Sequence, residues 1–299
     1  MRSKLVSFGA AVVVTCFAGC SHKPVLRLAA QTSSEQHMLT EIIAQHLERQ
    51  LGVSVQRKLN VGDSAAALNA FLNGEFDLYP EYSGVAAQMI QGLNPSGPIE
   101  LVRQQLEQEY RKRWNAEWIA PLGFDASYVI AVRRALADQY GLETLADVEN
   151  QRGRTWRLAV SFEFFERPEY LKKFNRSYAI LWEGAITTME PNQLPHALAQ
   201  GAADMIAAPR TVGSFAVVDA KFLVDTKGIF PPMEAGVVVS RQALRRFSGL
   251  ESALQGLRGR ISLETMRQLN RSLELGQEPA SLLARKFLDA KSRGWISSP

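Results

Sequence analysis

Apolar positions along the chain alternate between the two-residue spacing of strands and the three-to-four spacing of helices. Val25-Leu26-Arg27-Leu28-Ala29-Ala30 reads as a first strand. After it Met38, Leu39, Ile42, Ile43, Leu47 and Leu51 recur at helical spacing, opened by a Ser33/Gln36 capping-box pair and closed by Gly52. A strand around Val53 to Leu59 completes strand, helix and strand within about 35 residues, a βαβ unit whose crossover is right-handed. Asp63-Ser64 caps a further helix carrying Ala66, Leu68, Ala70 and Phe71. It delivers the chain to the stretch from Gly74 to Gly84, whose first half alternates like a strand until Pro80, which has no N–H to give a ladder. Tyr79, Glu81, Tyr82 and a Ser-Gly pair therefore fall at a strand's carboxyl end, where α/β proteins hold small molecules. A buried strand followed by an ordinary turn fits the same pattern.

Residues 99–114 form a charged amphipathic helix, and its run from Glu107 to Arg113 reads as a solvated face. Phe124 to Val132 is the next extended segment, and the alternation then restarts. Helices over Arg134 to Tyr140 and Leu145 to Glu149 and a strand over Trp156 to Val160 open a second α/β unit. Ala203 to Ala208 is another strand, and Gly228-Ile229-Phe230-Pro231-Pro232 interrupts the pattern before a valine-rich strand over Glu234 to Ser240. Ser262 caps a helix with Leu263, Met266, Leu269 and Leu273, closed by Gly276, and Pro279 precedes a last helix. Two restarts without a long Gly/Ser linker predict a second domain inserted into the first and joined to it by two extended crossings.

Composition adds little beyond class. With 299 residues, 46% of them hydrophobic and 21% charged, the chain is an ordinary globular one with room for one large core or two moderate ones. Net charge is +4, of which Arg2 and Lys4 contribute two, and so small an excess gives no case for a nucleic-acid partner.

Those two residues open a basic segment followed by a mostly apolar run, Leu5 to Phe17, too short for a spanning helix and suited to a signal peptide over residues 1–19. Phe17-Ala18-Gly19-Cys20 resembles a bacterial lipoprotein box, with Cys20 as the lipidated residue; a plain secretory leader cut near Ala18 or Gly19 is the alternative. Loss of Cys16 with the leader leaves Cys20 alone, so no intrachain disulfide or cysteine metal site can form. Lipidation would place the folded part at a membrane surface, and no later segment reaches the roughly 20 apolar residues of a span.

The Gly74 to Gly84 stretch resembles the "GEIDLYPEYTGT"-like segment of the glycine betaine/choline/proline-betaine substrate-binding proteins of osmoprotectant ABC transporters, and the likeness runs over roughly residues 25–290. It implies a two-lobed α/β periplasmic binding protein of type II with two crossover hinge strands, near residues 125–132 and 230–238. Residues 24–127 and 233–299 would form the first lobe and 128–232 the second, with the ligand between them. The implied partners are a small polar or zwitterionic ligand and the membrane subunits of an ABC permease. The implied setting is a monomer held in the periplasm by a lipid anchor, with no cofactor.

A quaternary ammonium donates no N–H bond, so ring faces suit it, while a ligand carboxylate is best met by an arginine fork and backbone amides. Tyr82 matches the second tyrosine of the family's first-lobe motif, and Tyr128 matches the one in its "NTYALAV"-like crossing. Tyr79 is a weaker match, since a strand residue can face inward instead. Phe162 to Glu169 resembles "DPEFLERPDG", which makes Arg167 the contact for the anionic group unless it merely pairs with Glu163 or Glu169. Glu169-Tyr170 stands there in place of Asp-Gly. Ser33-Ser34-Glu35-Gln36 resembles "NFTEQ", so amides at this helix start, beginning with Ser34, meet a polar ligand group or serve only as a cap. Pro232-Met233-Glu234 replaces the aromatic pair of "FPPYYAA", and Ala207 to Gly213 replaces "DAYSTDG". Two expected aromatic walls are thereby missing, and Arg210 and Glu234 bring charges into their places. Glycine betaine is therefore expected to bind weakly or not at all, the ligand being a different small polar or zwitterionic compound with an anionic group, and primary or secondary amines gain if Glu234 turns into the cleft.

Enzymatic chemistry finds no support. The four histidines, His22, His37, His46 and His196, form no ligand pair with a cysteine, and no GxSxG, HExxH or phosphate-loop motif occurs. A non-transport ligand-binding or sensing module of the envelope, built on the same fold, is the competing reading.

Overall fold

The computed structural model describes residues 24–292 apart from residues 120, 168 and 169. The leader and Cys20 lie outside the described residues. The chain begins as β1 (Leu26–Ala29), α1 (Ser34–Leu51), β2 (Val55–Lys58), α2 (Ser64–Leu72), β3 (Leu78–Tyr82), α3 (Ser83–Gln88), α4 (Ile99–Trp114) and β4 (Ala116–Ile119). It continues as β5 (Tyr128–Arg133), α5 (Arg134–Tyr140), α6 (Leu145–Glu149), β6 (Thr155–Trp156), β7 (Leu158–Ser161), α7 (Phe162–Glu166), α8 (Leu171–Ser177), β8 (Leu181–Trp182), β9 (Thr187–Met189), α9 (Leu194–Ala199), β10 (Met205–Pro209) and β11 (Ala220–Leu223). The return is β12 (Ala235–Ser240), α10 (Arg241–Arg246), α11 (Leu250–Gln255), α12 (Leu263–Glu274) and α13 (Ala280–Ser292).

Two mixed five-stranded sheets result, ordered β2-β1-β3-β12-β4 and β11-β5-β10-β7-β9. Each is buried on both faces, and the alternation of side chains assigns residues to one face or the other. In β12, Val237 and Val239 join Leu28, Leu78 and the α1 residues Leu39 and Ile43, while Val238 joins Tyr79, Phe71 and Trp118 on the opposite face. The second sheet divides likewise, with Ile130, Val132, Leu158 and Met205 on one side and Ala131, Ala159 and Ile206 on the other.

The two sheets are joined by the segments between β4 and β5 and between β11 and β12, and these pair with each other. Asp125 and Glu234 form an antiparallel bridge, and the Ala126 N–H donates to the Met233 carbonyl at 2.9 Å. The Asp125 carboxylate accepts the N–H of Met233 at 2.8 Å and of Ser127 at 2.9 Å, which fixes one crossing against the other.

Two strands differ from the sequence reading. Pro80 does not stop β3, which runs through it to Tyr82. Ser240 donates to the Asp77 carbonyl and Ser83 to the Glu234 carbonyl, so odd-numbered residues of this strand face β12 and even-numbered ones face β1. The ladder with β1 ends at Leu28 opposite Leu78, so the missing N–H of Pro80 points where no partner strand remains. The strand expected over Trp156 to Val160 is two: β6 pairs with β8, and β7 enters the main sheet. Arg157 marks the break, its N–H and guanidinium both donating to the Asp204 carboxylate at 2.8–3.1 Å.

Candidate functional site

The carboxyl ends of β1, β3, β7 and β10 converge on one cleft of about 750 Å³ between the two sheets. This is where open α/β sheets leave loops and helix starts free to meet a ligand. Its wall from the first sheet includes Gln31, Ser34, Glu35, Gln36, Ser64 and Tyr82, and its wall from the second includes Tyr128, Glu163, Arg167, Tyr170 and Thr211. Met233 contributes from the crossing, and Asn270 and Glu274 from α12.

Local sequence explains each placement. The Ser33 hydroxyl accepts the Gln36 N–H at 3.1 Å and opens α1 at the cleft edge, with Ser34 as its first residue. Gln36 does not complete the box: its amide is buried at 2% exposure, lines the cleft and has no hydrogen-bond partner among the described residues. Glu35 accepts the Tyr82 hydroxyl proton in a short bond and the Asn270 amide at 2.6 Å, so three elements are tied at one carboxylate. Burial, reinforced by Glu35, holds the Tyr82 hydroxyl well above its usual pKa, and Tyr82 serves as a neutral ring.

In the second wall the Tyr128 hydroxyl meets Ser161 Oγ at 3.1 Å and donates to Glu163 at 3.2 Å, and burial raises its pKa as well. Ser161 also caps α7, accepting the Phe164 N–H at 3.2 Å. Tyr170 lies against Tyr128 with ring centroids 4.9 Å apart. Arg167 pairs with Glu163 at 3.1 Å, and its guanidinium carbon lies 5.9 Å from the Tyr170 ring centre. Among the described residues, the cleft lining thus combines three tyrosine rings with carboxylates at Glu35, Asp63, Glu163 and Glu274 and the single arginine Arg167.

Of the residues singled out in the sequence, Ser34, Tyr82, Tyr128 and Arg167 are brought together here. Tyr79, Arg210 and Glu234 lie outside the lining. Tyr79 is fully buried, its ring packed on Phe71 and Phe76 at 5.4 and 5.7 Å, because β3 alternation turns it away from the face that holds Leu78. Arg210 pairs with Asp125 at 3.4 Å and accepts Arg267 Nε on its carbonyl at 2.7 Å. Glu234 is gripped by the Arg103 fork at 2.8 and 2.9 Å, which removes it as the partner expected for a ligand amine.

Tyr170, Asn270 and Glu274 were not foreseen. The first stood in the sequence only as a replacement for glycine. The other two lie four apart on α12; Asn270 is itself buried, four residues on from Met266, and Glu274 borders the same face, so helical spacing alone counts both with the packed side of the helix and does not single them out as cleft residues.

Residues 24–290 match the model of the family described as the substrate binding domain of ABC-type glycine betaine transport system. The chain belongs to this family. Its members are solute-binding domains rather than enzymes, and among the described residues no group of His, Cys, Asp and Glu could hold a metal. A glycine betaine-binding protein of Escherichia coli, YehZ, is 28% identical over 284 residues, 90% of this chain and 91% of its own. The ergothioneine transport permease/ergothioneine binding protein EgtU of Helicobacter pylori is 27% identical over 268 residues; these are 89% of this chain, which spans only 47% of that longer protein. Among solved structures, one described as a glycine betaine/carnitine/choline ABC transporter superposes with a TM-score of 0.82 at 23% identity, covering 89% of this chain and 98% of its own. The fold is accordingly that of a two-lobed type II periplasmic binding protein with crossover strands, and the role that of the extracytoplasmic solute-binding part of an ABC importer.

Proposed function

We propose that this substrate-binding domain captures a small solute carrying a trimethylammonium group, and that Tyr82, Tyr128 and Tyr170 receive the cation. The observation that carries the reading is the lining itself: three tyrosine rings with acidic side chains at Glu35, Asp63, Glu163 and Glu274 against one arginine, a surface of negative potential with ring faces. Glycine betaine, carnitine, choline and ergothioneine, the compounds after which the relatives are named, all carry that group. Arg167, already paired with Glu163, meets a ligand carboxylate by exchanging one anion for another, and Ser34 with the start of α1 offers amides to a polar end.

The lobes divide in this reading at the paired crossings, residues 24–127 and 233–299 against 128–232. Cys20 carries the lipid that holds the domain at the periplasmic face of a membrane, where a monomer delivers its ligand to an ABC permease. The expectation that glycine betaine binds poorly rested on Glu234 as a compensating charge and on missing rings; Arg103 occupies Glu234, and Tyr170 supplies a ring.

Calorimetric titration with glycine betaine, carnitine, choline and ergothioneine tests the reading. At least one is expected to bind, and Tyr82→Ala to weaken it about 2- to 30-fold, the worth of one ring face at about 0.5–2 kcal/mol. Binding of neutral or purely anionic solutes in preference to all of these compounds would overturn it.

A further inference from the structure

Beneath the cleft floor lies a carboxyl group that the site as described does not use. Glu81, next to Tyr82 on β3, is fully buried, and among the described residues it forms no ion pair with a lysine, arginine or histidine. Donors converge on it instead. Gln31 Nε2 donates at 2.9 Å, Ser64 Oγ at 3.1 Å and the Tyr82 N–H at 2.8 Å. Gln31, Ser64 and Tyr82 all line the cleft, so Glu81 sits one layer behind the surface a ligand touches.

The groups facing it are neutral or acidic. Asp63 stands at the N-cap of α2, Tyr79 and Tyr82 flank it on its own strand, Glu35 reaches Tyr82 from α1, and Tyr110 approaches from α4. Gly236 of β12 lies opposite in the ladder and adds no side chain. Arg103 of α4 is committed to Glu234.

A buried carboxylate without a cation is costly, yet the surrounding donors are arranged for one. The neutral form is also served: Ser64 Oγ lies 3.2 Å from Gln31 Oε1, so a protonated Glu81 can donate to Ser64 while Ser64 donates to Gln31. Burial lifts the pKa of Glu81 to about 7 against the pull of its hydrogen bonds, so both forms are populated near neutrality.

We propose that Glu81 is a specificity-determining residue of the cleft, the buried counter-charge whose missing cation is supplied by the ligand. Resting on the reading of the cleft as a cation site, this goes further by assigning the charge selectivity to a residue the ligand does not touch. Ring faces attract a cation and also tolerate a neutral group of the same shape; a buried, unscreened anion behind Tyr82 separates the two. By linkage, a bound cation favours ionised Glu81, and binding near pH 6 releases a proton.

Choline and its uncharged carbon isostere 3,3-dimethylbutan-1-ol are the probes, titrated calorimetrically at pH 6 and 8 in buffers of different ionisation enthalpy. The proposal expects choline affinity to rise on the order of tenfold from pH 6 to 8 with proton release at pH 6, while the isostere stays flat. Glu81→Gln should abolish the rise and the release for choline and leave isostere binding unchanged. Glu274→Gln, which removes the other cleft carboxyl whose pKa burial raises, should retain both. A flat choline profile in the unaltered protein, or a rise that persists in Glu81→Gln, overturns the proposal and leaves the cation reading standing. An isostere that binds as well as choline at both pH values overturns the two together, and failure of choline to bind overturns this proposal, the cation reading falling with it only if glycine betaine, carnitine and ergothioneine fail as well. Should Glu81→Gln not fold, the proton count and pH profile of the unaltered protein decide.

Discussion

Single side chains in this protein are placed by charge and capping more than by bulk. Glu35 holds the Tyr82 hydroxyl and the Asn270 amide at once, and Asp125 collects two backbone N–H groups where the crossings meet. Glu81 is the costly member of this set. Its folded pKa, about 7, lies above the usual glutamate value near 4.3, so the folded chain binds the proton more tightly than the unfolded one. The contribution to stability is therefore full below about pH 4 and is lost as pH rises through 7, at most about 4 kcal/mol by linkage. Thermal unfolding of the ligand-free protein should show this loss between pH 5 and 8, and Glu81→Gln should flatten that part of the profile. An unchanged slope in the variant would mean that Glu81 does not titrate in this range.

At the scale of elements, α12 is the piece with two allegiances. Met266 and Leu269 belong to the core around the first sheet, while the adjoining face, with Arg267, Asn270 and Glu274, meets residues 210–215 beside the second. There Asn270 donates to the Thr211 carbonyl at 2.9 Å, and Glu274 accepts the Gly213 N–H at 2.9 Å. A Cβ on Gly213 would lie 2.3 Å from Arg271 N and 2.5 Å from its Cα, so backbone and backbone touch here. Gly213→Ala is expected to push the helix away and cost about 1–3 kcal/mol, read as a lower melting temperature. Because Asn270 and Glu274 ride on that helix, ligand affinity should fall with it; a variant with unaltered melting and binding would show the contact to be dispensable.

This contact also marks the limit of what the sequence discloses. Caps and periodicity were legible: Ser33, Asp63 and Ser262 open the helices expected of them, and Gly52 closes α1. Motif likeness pointed to Tyr82, Tyr128 and Arg167, which all line the cleft, because each stands beside a strand end whose direction the local pattern sets. The continuation of β3 through Pro80 was not legible, since it depends on where a neighbouring strand stops. Nor was the diversion of Glu234 to Arg103, a pair 131 residues apart, or the return of Asn270 to Glu35 across 235. Such pairings are fixed by the packing of whole layers and leave no mark on local spacing.

In the whole molecule, two sheets meet through paired crossings and through α12, with the cleft between them. Gly84, at the start of α3, packs so closely on the second crossing that an added Cβ would lie 2.6 Å from the Pro232 carbonyl oxygen and 2.8 Å from Met233 Sδ. The crossing is thereby tied to the same β3 end that supplies Tyr82 and Glu81. A ligand bound between the sheets favours whichever arrangement lets both walls touch it, and it shifts that equilibrium only by its preference for one state.

The central claim is that the cleft receives a quaternary ammonium on the rings of Tyr82, Tyr128 and Tyr170. The most direct measurement is a crystal structure of the protein grown with whichever of glycine betaine, choline, carnitine or ergothioneine binds most tightly. The ligand is expected between the sheets, its nitrogen within about 6 Å of those ring centres and any carboxylate turned to Arg167. Ligand elsewhere on the surface, or in the cleft with its nitrogen away from all three rings, would contradict it.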